Sequence, residues 1–575
     1  MRRIHLALPL LLALSPPGIA AAQVTPTAEF STERLAQHVR TLGSDAFEGR
    51  SPATAGETKT VAYLTEQFAK AGLQPGGDLK DGKRQWTQSV PLLRSEFAAA
   101  PHIAMTVGGR AVPLTQGNEI AARAPLTGDK ALMLNKVPLV FAGYGVKAAE
   151  RGWDDFKGQD LKGKVLVVLV NDPDFEGGEG QFGGKAMTYY GRWTYKYEEG
   201  ARQGAAGVLV IHETEPASYG WATVKNSNTN AMFDIVRQNP RGEHPPLEGW
   251  IQRDLAAQLF AASRTSFEAM KAAARRKDFK PVSLNATLDL HGNAKTEVIT
   301  SSNVVGILPG RTRPDETVIY TGHWDHLGIG QPDAKGDRIY NGAIDNGTGI
   351  AHMIEQARAF ARGPRPERSV VFLAVTAEEK GLLGSEYYAS NPLYPLGKTA
   401  GVINTDVMGV LGPARDFSVR GNQKFGLLDL LVEEAAKRGR RYTPDPRAGA
   451  GSFYRSDHFT LAKVGVPAMS FAPGDDLVNG GTARGLAWRK NYDATMYHQP
   501  ADEFAPDWDY SGMAQDAELL HAVGLRLANS RDWPNWSSDS EFRAVRDRSA
   551  AEREQSAPQA QPLPAAPADK AGERG

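Results

Sequence analysis

Three apolar runs in the second half of this chain each end on a side chain that can bind a metal. TVIYTG runs into His323, SVVFLAVTA into Glu378 and Glu379, and AGVINT into Asp406. Unbroken apolar runs, as opposed to alternating ones, are what strands buried on both faces require. Between them comes helical spacing: beyond Gly349, residues Ile350, Met353, Ile354, Ala357 and Phe360 fall on one face. This alternation predicts a mainly parallel mixed sheet flanked by helices. In open sheets of that kind, sites gather at the carboxyl ends of the strands.

The residues at those ends form a set with a chemistry of its own. Asp345 lies in the turn GAIDNGTG, whose glycines allow a carboxylate to project toward two metals, one oxygen to each. His498, in the loop YHQPADE, adds a second imidazole to that of His323. Three carboxylates (Asp345, Glu379, Asp406) and two imidazoles suit a pair of zinc-like ions. Asp325, two residues beyond His323, is placed to fix the tautomer of that histidine. Glu378 sits beside the ligand Glu379, where a base could take a proton from a metal-activated water. Alone, D-N-G is a turn and E-E a solvated pair; after buried strands and in this order, they predict metal-assisted hydrolysis. His326 reads as structural or solvent-facing.

At 575 residues the chain exceeds one ordinary domain. Lys+Arg and Asp+Glu are both 66, so neither a nucleic-acid partner nor a charged tail is indicated. With no cysteine, disulfides, thiolate ligands and a cysteine nucleophile are excluded. Arg2 and Arg3, the apolar run Ile4–Leu14 and Ala20-Ala21-Ala22 before Gln23 read as a secretory signal peptide over residues 1–22. That run is too short for about 30 Å of hydrocarbon, so no stable membrane anchor is expected. The expected location is periplasmic or secreted. Near Val137 the composition shifts, and residues 134–290 read as an inserted smaller α/β module. The catalytic domain is then split over residues 23–133 and 291–535, and residues 550–575 form a disordered Ala/Pro/Gln-rich tail.

The ordered motifs GHWDH, AIDNGTG, TAEEKG, NTDVMG and YHQPADE resemble those of the M28 zinc metallopeptidases of aminopeptidase type. GYGV, LKGKVLVVLVNDP and YKYEEGARQGAAGVLVIHE resemble the protease-associated (PA) domain inserted in one subgroup. The resemblance implies the zinc-dependent exopeptidase fold, two Zn²⁺ ions or other divalent metals, and peptide substrates. It makes His323 and Asp406 ligands of one metal, Glu379 and His498 ligands of the other, and Asp345 the bridge. It makes Glu378 the general acid/base and Asp325 the histidine-orienting carboxylate. It also implies a cis peptide between Asp345 and Asn346, and an oxyanion donor for which Tyr454 is the candidate. Related chemistries on this fold are carboxypeptidases and one-metal glutaminyl cyclases, and transferrin-receptor-like proteins are non-catalytic binding scaffolds. Asp457 and His458 read as a helix start and packing.

Overall fold

The computed structural model describes residues 30–178 and 180–554. The signal peptide expected over residues 1–22 lies outside the described residues, as does the tail beyond residue 554. Among the described residues, no helix is long and apolar enough to cross a membrane.

The larger sheet is built on the strands Arg368–Val375, Arg313–His323, Thr399–Thr405 and Ala468–Pro473, all parallel neighbours in that order. Two antiparallel neighbours flank them: the end of the long strand Val282–Leu308 pairs with Arg368–Val375, and Asp416–Val419 with Ala468–Pro473. The residues of Arg368–Val375 and Thr399–Thr405 are buried throughout, because helices cover both faces. Helices Thr32–Leu42, Gly347–Arg362 and Ser511–Asn529 pack together over this sheet. The Ser31 side chain caps the first of these, and Leu35, Val39 and Leu42 turn one stripe into the core. Helix Ala55–Ala71 begins on the Thr54 cap and ends at Gly72 with φ of 99°, a left-handed stop that glycine adopts freely.

A second sheet holds parallel strands Ala131–Phe141, Val165–Leu169, Gly207–His212 and Leu247–Gln252, each of the last three with an apolar buried run. Its boundaries differ from the expected ones. His102–Val107, Arg110–Leu114 and Ile120–Ala122 also belong to it, so it begins about thirty residues before residue 134. Residue 290 falls inside the single strand Val282–Leu308, which pairs with the smaller sheet through its first part and with the larger through its second. No turn separates the two, which is why composition shows no break there. At the other end the packed chain runs past residue 535: Trp536, Phe542 and Arg546 are buried. Helix Ala550–Glu554 occupies the first residues of the stretch expected to be a disordered tail.

Candidate metal centre

The strands deliver their last residues to one place. His323 ends Arg313–His323 in register with Val375, and Thr321 is opposite Asn404, so Glu378, Glu379 and Asp406 emerge beside His323. Asp345 projects from the turn before helix Gly347–Arg362, and the peptide after it is cis. His498 follows helix Gly481–Thr495. Ala377, Val407 and His498 hold left-handed backbone, a conformation that costs a non-glycine residue about 1 kcal/mol or more.

The five side chains converge in two overlapping groups. His323 Nε2 lies 3.4 Å from Asp345 Oδ1 and 3.5 Å from Asp406 Oδ1. His498 Nε2 lies 3.3 Å from Asp345 Oδ2 and 3.1 Å from Glu379 Oε2. Asp345 thus turns one oxygen to each imidazole. Tetrahedral zinc with bonds of about 2.1 Å sets its ligand atoms about 3.4 Å apart, so these donors have the spacing of ligands around shared ions. Glu379 Oε1 is buried and without a hydrogen bond, a costly state unless a cation answers it. Burial works against charge on His323 and His498, yet the surrounding carboxylates outweigh it and hold both well above the usual imidazole range. Burial would raise Asp345, but the two imidazoles hold it well below the usual carboxylate range. Glu378, whose carboxylate lies in one cluster with His323 and Glu379, goes the other way. Burial pushes it well up; His323 pulls against this, and repulsion from Glu379 and Asp457 adds to it.

A further set of groups holds this cluster in shape. Asp325 does not orient His323 through its carboxylate: His323 Nδ1 is 3.1 Å from the Asp325 carbonyl oxygen and 3.8 Å from Oδ1. The Asp325 carboxylate instead accepts the backbone N–H groups of Glu378 and Glu379, at 3.0 and 3.3 Å. Asp502, in the same loop as His498, accepts the N–H groups of Ile344 and Asp345 at 2.9 and 3.0 Å. His326 is neither solvent-facing nor remote: it is fully buried, with Nδ1 2.7 Å from Glu379 Oε1 at an angle that makes no hydrogen bond. Arg50, 1% exposed, donates to the carbonyls of Leu42, Trp324, Asn341 and Gly342, joining the loops that carry His323 and Asp345. The first acid of YHQPADE, Asp502, and the second histidine of GHWDH, His326, were visible as motif letters. The reach of Arg50 across nearly three hundred residues has no local signal.

Residues 303–522, which span all five converging side chains, match the profile of peptidase family M28. It is this stretch of the chain, residues 303–522, that is similar to peptidase family M28. Over 108 residues it is 37% identical to a "Probable zinc metalloprotease" of Pyricularia oryzae, covering 19% of this chain and 21% of that protein. Over 119 residues it is 35% identical to "Aminopeptidase NAALADL1" of Mus musculus, covering 20% of this chain and 14% of that one. The matched stretches therefore span about a fifth or less of these curated relatives. An aminopeptidase from Aneurinibacillus sp. strain AM-1 aligns at 17% identity over 88% of this chain and 96% of its own, with a TM-score of 0.48.

Tyr454, within the matched stretch, does not face the cluster. Its hydroxyl donates to Glu541 Oε1 at 3.0 Å, and its ring packs between Tyr189, Phe453 and Phe459. The tyrosine beside the cluster is Tyr497, stacked on His498 with centroids 3.9 Å apart and 44% exposed. Both tyrosines precede a charged motif, so their sequence contexts do not separate them. Asp457 leaves the helix His458–Lys463 without a side-chain cap, while His458 packs edge-on to Phe453. A cavity of about 800 Å³ opens from the cluster and is lined by His323, Glu378, Asp406, Tyr497 and His498. Ser218 of the smaller sheet's module lines its far wall.

Proposed function

We propose that the protein is an exported two-zinc aminopeptidase that removes N-terminal residues from peptides. The observation that carries the metal count is Asp345, whose two oxygens face two different imidazoles. The names of the relatives, zinc metalloprotease and aminopeptidase, support the metal and the exopeptidase reading. His323, Asp406 and Asp345 Oδ1 would hold one ion. His498, Glu379 and Asp345 Oδ2 would hold the other. Oxygen and nitrogen donors of this kind also accept other divalent metals.

When bound, the ions polarise the scissile carbonyl and lower the pKa of a water beside them. Glu378 takes a proton from the attacking water as the C–O bond forms and charge moves to the carbonyl oxygen; it then delivers that proton to the nitrogen as the C=O re-forms and the C–N bond breaks, so the protons balance. Asp325 fixes the turn from which Glu378 projects. The Tyr497 hydroxyl, on the cavity wall beside His498, donates to the carbonyl oxygen as negative charge develops there. The smaller module, in this reading the protease-associated insert, closes one wall through Ser218 and so favours short or flexible peptides.

The test is release from aminoacyl chromogenic substrates and dipeptides, with chelator and zinc add-back, alongside metal analysis. Chelator-sensitive release from free N-termini is expected. No release from protein holding two ions would point to C-terminal or non-peptide substrates, and no release without bound metal would favour a binding scaffold. Export rests on residues 1–22; N-terminal sequencing of the mature protein should begin at Gln23.

A further inference from the structure

The cavity beside the metal centre is lined by five arginines as well as by the cluster itself. Three of them are already answered. Arg441 pairs with Asp476 at 2.6 Å, Arg447 with Asp493 at 2.9 Å and Arg489 with Asp475 at 2.6 Å. The other two, Arg420 and Arg455, have no carboxylate at ion-pair distance among the described residues. Arg455 stands exposed at the rim, where it donates to Ser218 Oγ at 2.6 Å and lies over the Tyr219 ring. Arg420 is deeper and closer to the chemistry.

Arg420 is held in place from two sides. Its backbone N–H donates to the Ser470 carbonyl at 3.0 Å, continuing the pairing of strands Asp416–Val419 and Ala468–Pro473. Its Nη2 donates to the carbonyl oxygen of Asp406 at 3.0 Å, the residue whose carboxylate meets His323. Its Nε is enclosed and has no acceptor at all. A guanidinium carries five N–H donors in a rigid fork, and here one nitrogen is committed to a neutral carbonyl. Arg50 and Arg440 differ in what holds them, although Arg440 Nε likewise lacks an acceptor. Arg50 meets four carbonyls and Arg440 meets Asp516 and a carbonyl. A half-buried, pre-positioned guanidinium that faces the cavity, with no carboxylate at ion-pair distance among the described residues, is built to receive an anion, and its fork matches a carboxylate best.

We propose that Arg420 makes this cavity a carboxylate-binding subsite, so that the preferred substrates are short peptides with an acidic group within one residue of the scissile bond. This rests on the peptidase reading above and adds the substrate class to it. The shared chemistry is a carboxylate. It can come from an acidic side chain or from the free C-terminus of a dipeptide, and the two sources can be told apart.

The experiment compares kcat/KM of the metal-loaded enzyme and its Arg420→Gln and Arg420→Lys variants on three substrates. Leu-Gly carries only a C-terminal carboxylate, Glu-Gly-amide only an acidic side chain, and Leu-Gly-amide neither. Loss of a charged hydrogen-bonding partner should lower kcat/KM about 30-fold or more on the carboxylate-bearing substrate the wild type prefers. The amide should fall less than about 3-fold, and the lysine variant should recover part of the difference. Preference for Leu-Gly assigns the C-terminus as the source, and preference for Glu-Gly-amide assigns the side chain. An equal loss on all three substrates, or none, overturns the subsite. Titration calorimetry of the same peptides on a Glu378→Gln background separates binding from turnover. Carboxylate-selective binding that vanishes with Arg420→Gln, without hydrolysis by the parent, keeps the subsite and sinks the peptidase reading. Absence of carboxylate-dependent binding overturns the subsite whatever the turnover.

Discussion

The two sheets both bury ionisable groups, but they treat them in opposite ways. Among the described residues of the smaller module, every buried acid is answered by the chain itself. Asp155 accepts from the Val146 N–H and the Trp153 indole, and Asp172 from the Thr188 N–H and hydroxyl. Asp174 accepts from the backbone of Gly180, Phe182 and Gly184, and the Lys196 ammonium donates to two carbonyls. By the larger sheet two buried acids are left open: Glu379 Oε1, just past strand Arg368–Val375, and both oxygens of Asp457, before helix His458–Lys463, have no hydrogen bond, whereas Asp325 and Asp502 accept backbone N–H groups. Groups satisfied within the chain shape loops; groups crowded together and left open await something from outside. The contrast separates structure from site without reference to any relative.

The sharpest way to break this contrast is to remove the carboxylate proposed above as the proton carrier of the open cluster. Glu378→Gln keeps the shape of the side chain and should lower kcat by about 10³-fold, roughly 4 kcal/mol of barrier, with both metals retained. Metal analysis and steady-state kinetics read the two halves of that statement. Retained activity would mean that Glu378 is only another buried acid; lost metal would make it a ligand.

Next in size is Arg50, which belongs to the answered kind although it sits under the open cluster. Arg50→Lys leaves one ammonium to serve four carbonyls. It should cost about 3 kcal/mol in denaturant unfolding and weaken metal retention on dialysis, since the loops bearing His323 and Asp345 lose their common tie. A variant as stable and as metal-retentive as the parent would show that the clamp is incidental.

Much of the open cluster was legible because its cause is local. A carboxylate or imidazole at the end of a fully apolar strand is expensive unless it is paired or bound, and strand register then brings the ends together. The groups that hold the cluster act over long separations and leave no such trace. Arg50 meets Gly342, Asp502 meets Asp345, and Arg420 meets Asp406 only once the chain is folded. Tyr454 and Tyr497 look alike as sequence, and only packing sends one into a core and the other to the cavity. The limits of the smaller module were misplaced for a related reason. Strand Val282–Leu308 serves both sheets without a turn, and sequence marks domains by turns and composition.

Within the smaller module the contrast predicts stability effects without functional ones. Thr188→Val removes the hydroxyl that donates to Asp172 at 2.8 Å and changes little else. It should cost about 1.5 kcal/mol, seen as faster hydrogen exchange in the strands Val165–Leu169 and Gly207–His212. Metal content and kcat/KM should not change. A fall in either would mean that the answered acids of the module also serve the site.

The smallest expected effect is a difference of sign in the response to pH. Burial pushes the imidazole of His352, in helix Gly347–Arg362, down to about 3, with Glu355 only partly opposing it. Burial pushes the Asp155 carboxyl up to about 7 against the donors around it. An unfolded histidine titrates near 6.5, so between about pH 3 and 6.5 the unfolded chain binds the extra proton at His352. That contribution to stability is complete above 6.5 and is lost as pH falls. An unfolded aspartate titrates near 3.9, so between about pH 4 and 7 the folded chain binds the extra proton at Asp155. That contribution is complete below 4 and is lost as pH rises. Each slope is at most about 1.4 kcal/mol per pH unit. Region-resolved hydrogen exchange at pH 5 and 6 should show His352→Gln gaining on the parent at the lower pH within its helix. Asp155→Asn should gain on the parent at the higher pH within the smaller sheet. Slopes of the same sign in both regions would mean that the two buried groups are set by a shared surrounding, and the division between the sheets would then be one of function alone.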